Sequence, residues 1–431
     1  MRWILDVVYG IALVLLSPWL AWRAWRTGRY RDGIRAKLLG SVRNDVPSGA
    51  VWFHAVSLGE MKVLGYLVPA FRQRFPGRAV VVSSTTLTGL AEARRLFPDL
   101  QVIAFPFDFS WAVSRTLRSM RPSLVVLCES ELWPNFLMAI RRLNIPLAVV
   151  NARMSPRSVK RFQWVAPLVR WMFRVPRVVG VQSADYAAAW LSLGATPGRD
   201  MVTGNIKFDG ALTDPGNPRT EAMRCDFCVR KEDLIWVAGS TQTPEEDGII
   251  RIFSRIGREF PSLRLFLVPR HPDRFDEVAK LLQEHGIAFV RRSQIQGSTD
   301  ARVILGDTVG ELSFLWGLAQ VAYVGGSMDG KRGGQNMIEP AAFGAAVTYG
   351  PHVWNFRETA RRLVECGGAY QVQDFQELEE ITRHLLKESK DRLAMGKLGR
   401  QFVLSQQGAT QRTLDILGSC LNAEIGKDRA A

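Results

Sequence analysis

A chain of 431 residues allows two to three domains at roughly 150 residues each, with enough core to need no covalent staples. Its 47% hydrophobic and 23% charged residues are those of an ordinary globular protein, so disorder is not the default. With 56 Lys and Arg against 41 Asp and Glu the formal charge is +15, so an acidic partner is expected: nucleic acid, an anionic membrane face or a phosphorylated substrate.

The first element is apolar. Residues 7–22, VVYGIALVLLSPWLAW, carry no charge, and Trp3, Ile4 and Leu5 extend the run to roughly 20 residues if Asp6 is tolerated near its end, about the thickness of a bilayer's hydrocarbon core. Arg23, Arg26, Arg29, Arg31, Arg35 and Lys37 follow it and only Arg2 precedes it, which places the body of the protein on the cytoplasmic side. A cleaved signal would carry its basic residues in front. Trp19, Trp22 and Trp25 suit a membrane interface, and residues 1–25 are expected to form a membrane anchor. Pro18 and the marginal length leave open whether it spans the bilayer or lies flat in its surface.

From residue 50 onward, Val- and Ile-rich runs alternate with helix-like stretches. Strands are expected at AVWFHAV (50–56), RAVVVSST (78–85), QVIAFPF (101–107), SLVVLCE (123–129), PLAVVNA (146–152), RVVGVQS (177–183) and DMVTGN (200–205). GALTDPGNPRT (210–220) then breaks the pattern and reads as a linker. Alternation resumes with DLIWVAGST (233–241), LRLFLVPRH (263–271), ARVILGD (301–307), VAYVGGS (321–327) and GAAVTYGPH (344–352). Such alternation predicts an α/β protein with two doubly wound parallel sheets. The expected division is 45–212, a linker at 213–230, 231–400, and a C-terminal helix or tail at 401–431.

Five cysteines, an odd number thinly spread, argue against a disulfide framework. Cys225 and Cys228 form a CxxC without the second pair that a zinc site needs, and no metal site is expected.

Open parallel sheets bind ligands at the carboxyl ends of their strands, where nearly every polar cluster of this chain falls. In HAVSLGE (54–60), Ser57 either caps a helix whose first turn holds Glu60, or belongs to a loop that presents Glu60 for chemistry. GDTVGEL (306–312) and GGSMDGKRGGQNMIEPAAFG (325–344) are glycine-dense, as either a phosphate cradle or a plain connection would be. Arg270 and His271 in PRHP suit a phosphate or ribose, or a solvated loop. Glu339 suits vicinal ribose hydroxyls, or a helix cap. No GxxxxGK[ST] and no strand-GxGxxG-helix unit occurs, which weighs against a P-loop ATPase and a dinucleotide dehydrogenase. Nor does the chain contain a DxD.

The ordered set HAVSLGE, TTLTG, ESELWPN, NARMS, GNIKFD, PRHP, GDTVGEL, VGGS with GGQNMIEPAAFG, and GPHVWNF resembles the Kdo transferases of lipopolysaccharide assembly, from about residue 50 to 360 and including the amino-terminal anchor. That resemblance implies a GT-B fold and an inverting, membrane-associated glycosyltransferase that moves 3-deoxy-D-manno-oct-2-ulosonic acid (Kdo) from CMP-Kdo to a lipid A precursor. It implies no cofactor. Glu60 would be the general base, Glu129 or Glu131 would hold the shape of the site, and Lys207 would counter charge developing on the donor. Ser57 and Gly59 would bind substrate, and Thr85, Thr86 and Thr88 would form the acceptor-side loop. CMP would lie on the second domain, against Arg270, His271, the backbone of Gly310, Glu311 and Leu312, and Asn336 and Glu339.

Gln335 stands where such proteins usually read GGHN, and Gln242 where a histidine is common. Glutamine keeps hydrogen bonding but cannot titrate in this range, so neither position is given acid–base work. The basic surplus finds a candidate use in docking to an anionic membrane and recruiting a phosphorylated lipid, through residues 23–35 and through FQWVAPLVRWMFRVPR (162–177), unless the latter is an amphipathic helix packed on its domain. Two other functions compete: a GT-B transferase or epimerase acting on a UDP-sugar, and a catalytically idle membrane-bound binding protein. Nucleic acid is not an expected partner, since the basic residues are spread along the chain without a recognised binding module.

Overall fold

The computed structural model describes residues 2–27, 34–40, 46–196, 198 and 201–428. Chain contacts divide it into two units: Met1–Asp209 with Gln407–Ala431, and Gly210–Gln406.

In the first unit, short β-branched runs become strands buried on both faces, as a parallel sheet covered by helices on each side requires. β1 (Val51–Ala55), β2 (Val80–Ser84), β3 (Gln101–Ala104), β4 (Leu124–Cys128), β5 (Leu147–Ala152) and β6 (Val178–Val181) form one sheet in the order β3-β2-β1-β4-β5-β6. All its pairings are parallel, with Val51 opposite Val80 and Leu124. Alternate residues of β1 feed two cores. Val51, Phe53 and Ala55 pack with Met61, Leu64 and Leu67 of the helix Leu58–Arg74, while Trp52 packs with Val113, Leu117, Phe136 and Ile140. The expected seventh strand is reduced to a bridge between Val202 and Val181.

The second unit carries β7 (Leu234–Thr241), β8 (Leu263–Pro269), β9 (Val290–Arg291), β10 (Val303–Leu305), β11 (Val321–Val324), β12 (Ala346–Tyr349) and β13 (Ala369–Gln371). They form a parallel sheet in the order β13-β12-β11-β7-β8-β10-β9. The edge strands β9 and β13 have only two and three residues, too few for an alternation pattern to show in the sequence.

Two segments fall elsewhere than their composition suggests. The Gly/Pro-rich stretch contains a helix, Pro218–Asp226, capped by Asn217 and tied to the second unit through Thr220 Oγ1, which donates to Phe314 O at 3.1 Å. The C-terminal helix Ala409–Asp428 returns to the first unit, where Leu414, Leu417, Cys420 and Leu421 enter the core beside β1 and β4. Asp209 receives the amides of Gly408 and Thr410 and so fixes the start of that helix.

The apolar amino-terminal run is the helix Arg2–Thr27. Among the described residues no helix is long and apolar enough to cross a membrane. The run is interrupted by Asp6 near its start and passes into Arg23 and Arg26 at its end. Arg29 and Arg31 lie outside the described residues. Asp6 faces the first unit, accepting Ser110 N at 2.8 Å and Asn135 Nδ2 at 3.1 Å, and Tyr9 donates to Asp108 Oδ2 at 3.2 Å. Asp108 in turn accepts the amides of Asn135 and Phe136. The two carboxylates thereby cap the helices Ser110–Met120 and Pro134–Arg142. Other sides of the helix, with Ile4, Val7, Ile11, Val14, Leu15 and Trp19, are exposed.

Candidate active site

β1 delivers the chain to Ser57, the N-cap of the helix Leu58–Arg74. Glu60 N donates to Ser57 Oγ at 3.3 Å, Ser57 Oγ donates to Glu60 Oε1 at 2.8 Å, and Val56 N donates to Glu60 Oε2 at 2.9 Å. This is a capping box in all but the exact backbone donor. The two readings of HAVSLGE therefore coincide: Glu60 completes the cap, and burial, then the nearby Glu129 carboxylate, push its carboxyl up to about 7. A Cβ on Gly59 would meet nothing closer than Ser57 Oγ at 3.9 Å, so packing does not demand glycine there.

His54 serves the core. It is fully buried, stacked on Phe105 at 3.8 Å, hydrogen-bonded to Ser83 Oγ, and pushed down to about 3 by burial, hence neutral. The threonines after β2 bind the β1 loop: Thr86 Oγ1 donates to Val56 O at 2.8 Å and caps the helix Leu87–Leu96. Thr85 Oγ1 lies 3.5 Å from His54 Nε2, and Thr88 Oγ1 donates to Thr86 Oγ1 at 3.4 Å.

At the end of β4, Glu129 adopts φ +62°, a left-handed conformation that a non-glycine residue keeps only when its surroundings enforce it. Its carboxylate accepts Arg153 Nε at 2.7 Å, and Ser130 Oγ donates to Arg153 O at 2.6 Å. Asn151, in β5, is also left-handed at φ +52°, and its Oδ1 accepts Ile206 N, which sets the turn that carries Lys207. Burial lowers the Lys207 ammonium, opposed first by Glu129. Burial raises Glu131, whose carboxylate accepts Trp133 Nε1 at 3.0 Å. The structure thus brings Ser57, Gly59, Glu60, Thr85, Thr86, Thr88, Glu129, Glu131 and Lys207 to the carboxyl-end loops of one sheet. Asn151 and Arg153 join them without having been singled out; their signal was membership of the NARMS motif.

The second unit gathers Arg270, His271, Gly310, Glu311, Leu312, Asn336 and Glu339 at its own strand ends. Arg270 N donates to Thr241 O at 2.9 Å, while its guanidinium has no partner among the described residues. His271 is exposed. Gly310, at φ +91°, precedes Glu311 and the helical turn Leu312–Leu315, whose first amides lie outside the helix's own hydrogen bonds. Burial pushes Glu311 up, but hydrogen bonds from Arg292 and Thr308 outweigh it and hold the carboxylate below its usual range. Only the backbone of this stretch is open to a ligand's anion. Asn336 Nδ2 donates to Glu339 Oε1 at 2.8 Å in the first turn of the helix Ile338–Phe343.

The VGGS glycines are committed to the protein itself. The buried Glu245 accepts the amides of Gln242, Gly326, Ser327 and Met328 and the hydroxyl of Tyr323, at 2.7 to 3.2 Å. A Cβ on Gly325 would sit 2.6 Å from Thr241 Cα, and Gly326 is left-handed at φ +67°, so only glycines let these amides converge on the carboxylate. Gln242 and Gln335 flank the same turn: a Cβ on Gly326 would lie 3.3 Å from Gln242 Nε2 and from Gln335 Cγ. Among the described residues no three His, Cys, Asp or Glu side chains converge as metal ligands.

Residues 26–210 match the family described as 3-deoxy-D-manno-octulosonic-acid transferase (kdotransferase). The 3-deoxy-D-manno-octulosonic acid transferase of Bordetella pertussis is 36% identical over 428 residues, covering 95% of this chain and 98% of its own. That of Haemophilus influenzae is 32% identical over 405 residues, covering 93% and 94%. Among solved structures, the UDP-GlcNAc 2-epimerase from Neisseria meningitidis bound to UDP-GlcNAc superimposes with a TM-score of 0.58 at 13% identity, covering 86% of this chain and all of the other, a likeness of fold alone. Relatives of more than 30% identity along nearly their whole length, together with two parallel-sheet units of the GT-B kind, show that the chain belongs to the Kdo transferase family of glycosyltransferases.

Proposed function

We propose that the protein transfers Kdo from CMP-Kdo to a lipid A precursor with inversion, Glu60 serving as general base. The observation that carries the proposal is the state of Glu60: a carboxyl at a strand end, raised to about 7 by burial and by Glu129. A base whose pKa lies near the working pH combines a sizeable deprotonated fraction with enough basicity to take a proton. In the step, the acceptor hydroxyl oxygen bonds to the anomeric carbon as the bond from that carbon to the CMP phosphate oxygen breaks. The hydroxyl proton passes to Glu60, and CMP leaves with the bonding electrons. Lys207, partly desolvated and electrostatically linked to Glu129 and Glu60, supplies positive charge for the anion that develops. The second unit would hold CMP through Arg270, His271, the backbone of Gly310, Glu311 and Leu312, and Asn336 with Glu339.

An inner-membrane location on the cytoplasmic face fits this reading. The helix Arg2–Thr27 exposes apolar side chains while Asp6 and Tyr9 fasten it to the first unit, so the helix would lie in the bilayer surface as part of that unit. Trp164, 90% exposed at the turn between the helices Pro156–Gln163 and Ala166–Phe173, with Arg161, Arg170 and Arg174 nearby in sequence, would add a second contact with anionic lipid.

The test is release of CMP and of Kdo-modified lipid, counted by mass, when the detergent-held protein meets freshly generated CMP-Kdo and tetraacylated lipid A precursor. Transfer by the wild type and its loss in Glu60→Ala are expected. A folded Glu60→Ala protein that keeps a tenth of wild-type turnover removes the base. No transfer by the wild type with intact substrates removes the donor and acceptor assignment.

A further inference from the structure

Beside Glu245 in the first turn of the helix Glu245–Ile256 lies a second buried carboxylate, Glu246, only 1% exposed. Its Oε2 lies 3.4 Å from Arg274 Nη2, which also donates to the more exposed Glu277 Oε1 at 3.0 Å, so Arg274 bridges the buried carboxyl and one in the helix Phe275–Glu284. The Thr241 hydroxyl lies beside the Glu246 carboxyl and favours its ionised form, while Arg274 Nε and Nη1 are buried without a hydrogen-bond partner among the described residues. Buried polar atoms are rarely left without a partner, so this buried arginine is an unusual choice for a core. An apolar pair of similar volume would serve stability at least as well, so stability alone does not account for the ions.

What the pair joins is informative. Thr241 ends β7, Glu246 follows it into the helix, and Arg274 ends the turn Pro272–Arg274 that follows Arg270 and His271 after β8. The backbone already fastens the two loops once, where Arg270 N donates to Thr241 O. Arg274 N closes the turn onto His271 O at 3.1 Å, so the Arg274 side chain provides a second fastening on the far side of Arg270 and His271. With both ends held, the Arg270 guanidinium, which has no partner among the described residues, is supported at a set position.

We propose that Glu246 and Arg274 are positioning residues that hold the Arg270–His271 turn in the geometry that binds the anionic, nucleotide-bearing donor. The proposal rests on the reading that the donor binds to this unit. Neither side chain is assigned contact with the donor; each acts through the turn, and the two act as one device.

The test compares Glu246→Gln, Arg274→Met and the double variant with the full-length wild type. The readouts are CMP affinity by calorimetry, steady-state kinetics with donor and acceptor varied separately, and the melting temperature. Each single variant should weaken CMP binding and raise the donor KM about tenfold, within the range of coupling between contacting residues, with kcat and the acceptor KM little changed. The double variant removes both charges and folds even where a single variant leaves an unpaired ion; its donor KM should be no worse than that of the worse single. Lower melting temperatures with unchanged CMP affinity and donor KM would make the pair merely structural. Losses that multiply in the double variant overturn the claim that the two act as one. If the wild type itself binds no CMP, the donor reading fails and takes this inference with it, whereas binding intact in the wild type and unmoved in all three variants overturns the positioning role alone.

Discussion

At the end of β4, Glu129 takes a left-handed backbone and leaves its carboxylate beside Arg153, Glu60 and Lys207; at the end of β7, Ser240 takes the same backbone at φ +56°, but the carboxylate beyond it, Glu245, is surrounded by amides. Both sheets bend the chain sharply where a strand ends, and they use the bend differently. The first unit keeps several ionisable groups close together with shifted affinities for protons, an arrangement that favours stability less than it favours proton transfer. The second unit uses its buried carboxylate to shape backbone, ties the carboxylate of Glu311 to Arg292, and leaves amides and the Arg270 guanidinium at the loops. The contrast agrees with the proposed division into chemistry in one unit and binding in the other.

The contrast is tested most strongly by Glu60→Gln. Glutamine at this position still accepts and donates as a capping-box residue does, so the helix start survives while the base is lost. Turnover should fall at least about 100-fold with the melting temperature nearly unchanged. Equal losses of activity and stability would reduce Glu60 to a cap.

Next in size is Glu245→Ala, which leaves four amides and a tyrosine hydroxyl facing an empty space; the second unit should lose about 3–5 kcal/mol in denaturant titration, and CMP binding with it. Retained stability would mean that the glycine loop does not depend on its internal anion.

The pH dependence sharpens the same division. Glu60 acts only when ionised, so kcat/KM should rise with pH through a midpoint of about 7, a limb absent from the residual activity of Glu60→Gln. Stability should move the other way. With the native carboxyl raised from 4.5 to about 7, the folded state holds a proton that the unfolded state has released, so this contribution is full below about 4.5 and is lost as pH rises through about 7. Glu246, pushed up to about 7 chiefly by burial, and Asp108, up to about 6, act in the same direction, so the difference between wild type and Glu60→Gln isolates Glu60.

Smaller effects are expected at the edges of the first unit. Ser57→Ala should cost about 1 kcal/mol through the cap, and should move the activity limb to higher pH because the Ser57 hydrogen bond favours the ionised Glu60. Tyr9→Phe, which removes one partly buried hydrogen bond to Asp108, should cost less than about 1 kcal/mol and show as faster hydrogen exchange in the helix Arg2–Thr27.

Most of the strands and the polar loops at their ends were legible because a parallel sheet writes apolar runs and turn residues locally into the chain, whereas the expected strand at 200–205 is only a bridge. Glu60 was legible with both its possible roles, since a cap and an acid at a strand end share one pattern. Glu129, Asn151 and Ser240 gave no sign of their backbone, because a left-handed residue other than glycine is enforced by neighbours distant in sequence. Nor did the glycines of VGGS disclose that the anion they serve is Glu245, which lies 81 residues from Gly326. Asp6 looked like a flaw in an apolar run and, with Tyr9, fastens the helix. The return of the last helix to the first unit could not be read from its own residues, since the partners of Leu414, Leu417, Cys420 and Leu421 lie hundreds of residues earlier in the chain.

That return has a consequence for synthesis. Domains generally fold as units in the order in which they leave the ribosome. Here the first unit begins first but lacks Leu414, Leu417, Cys420 and Leu421 of its core until the closing helix emerges, after all of the second unit. The nascent first sheet must wait with one face incomplete while its amino-terminal helix has long since been made. The second unit is complete in sequence before the first, and a premature stop just before residue 407 would leave it whole while depriving the earlier-made unit of its cover.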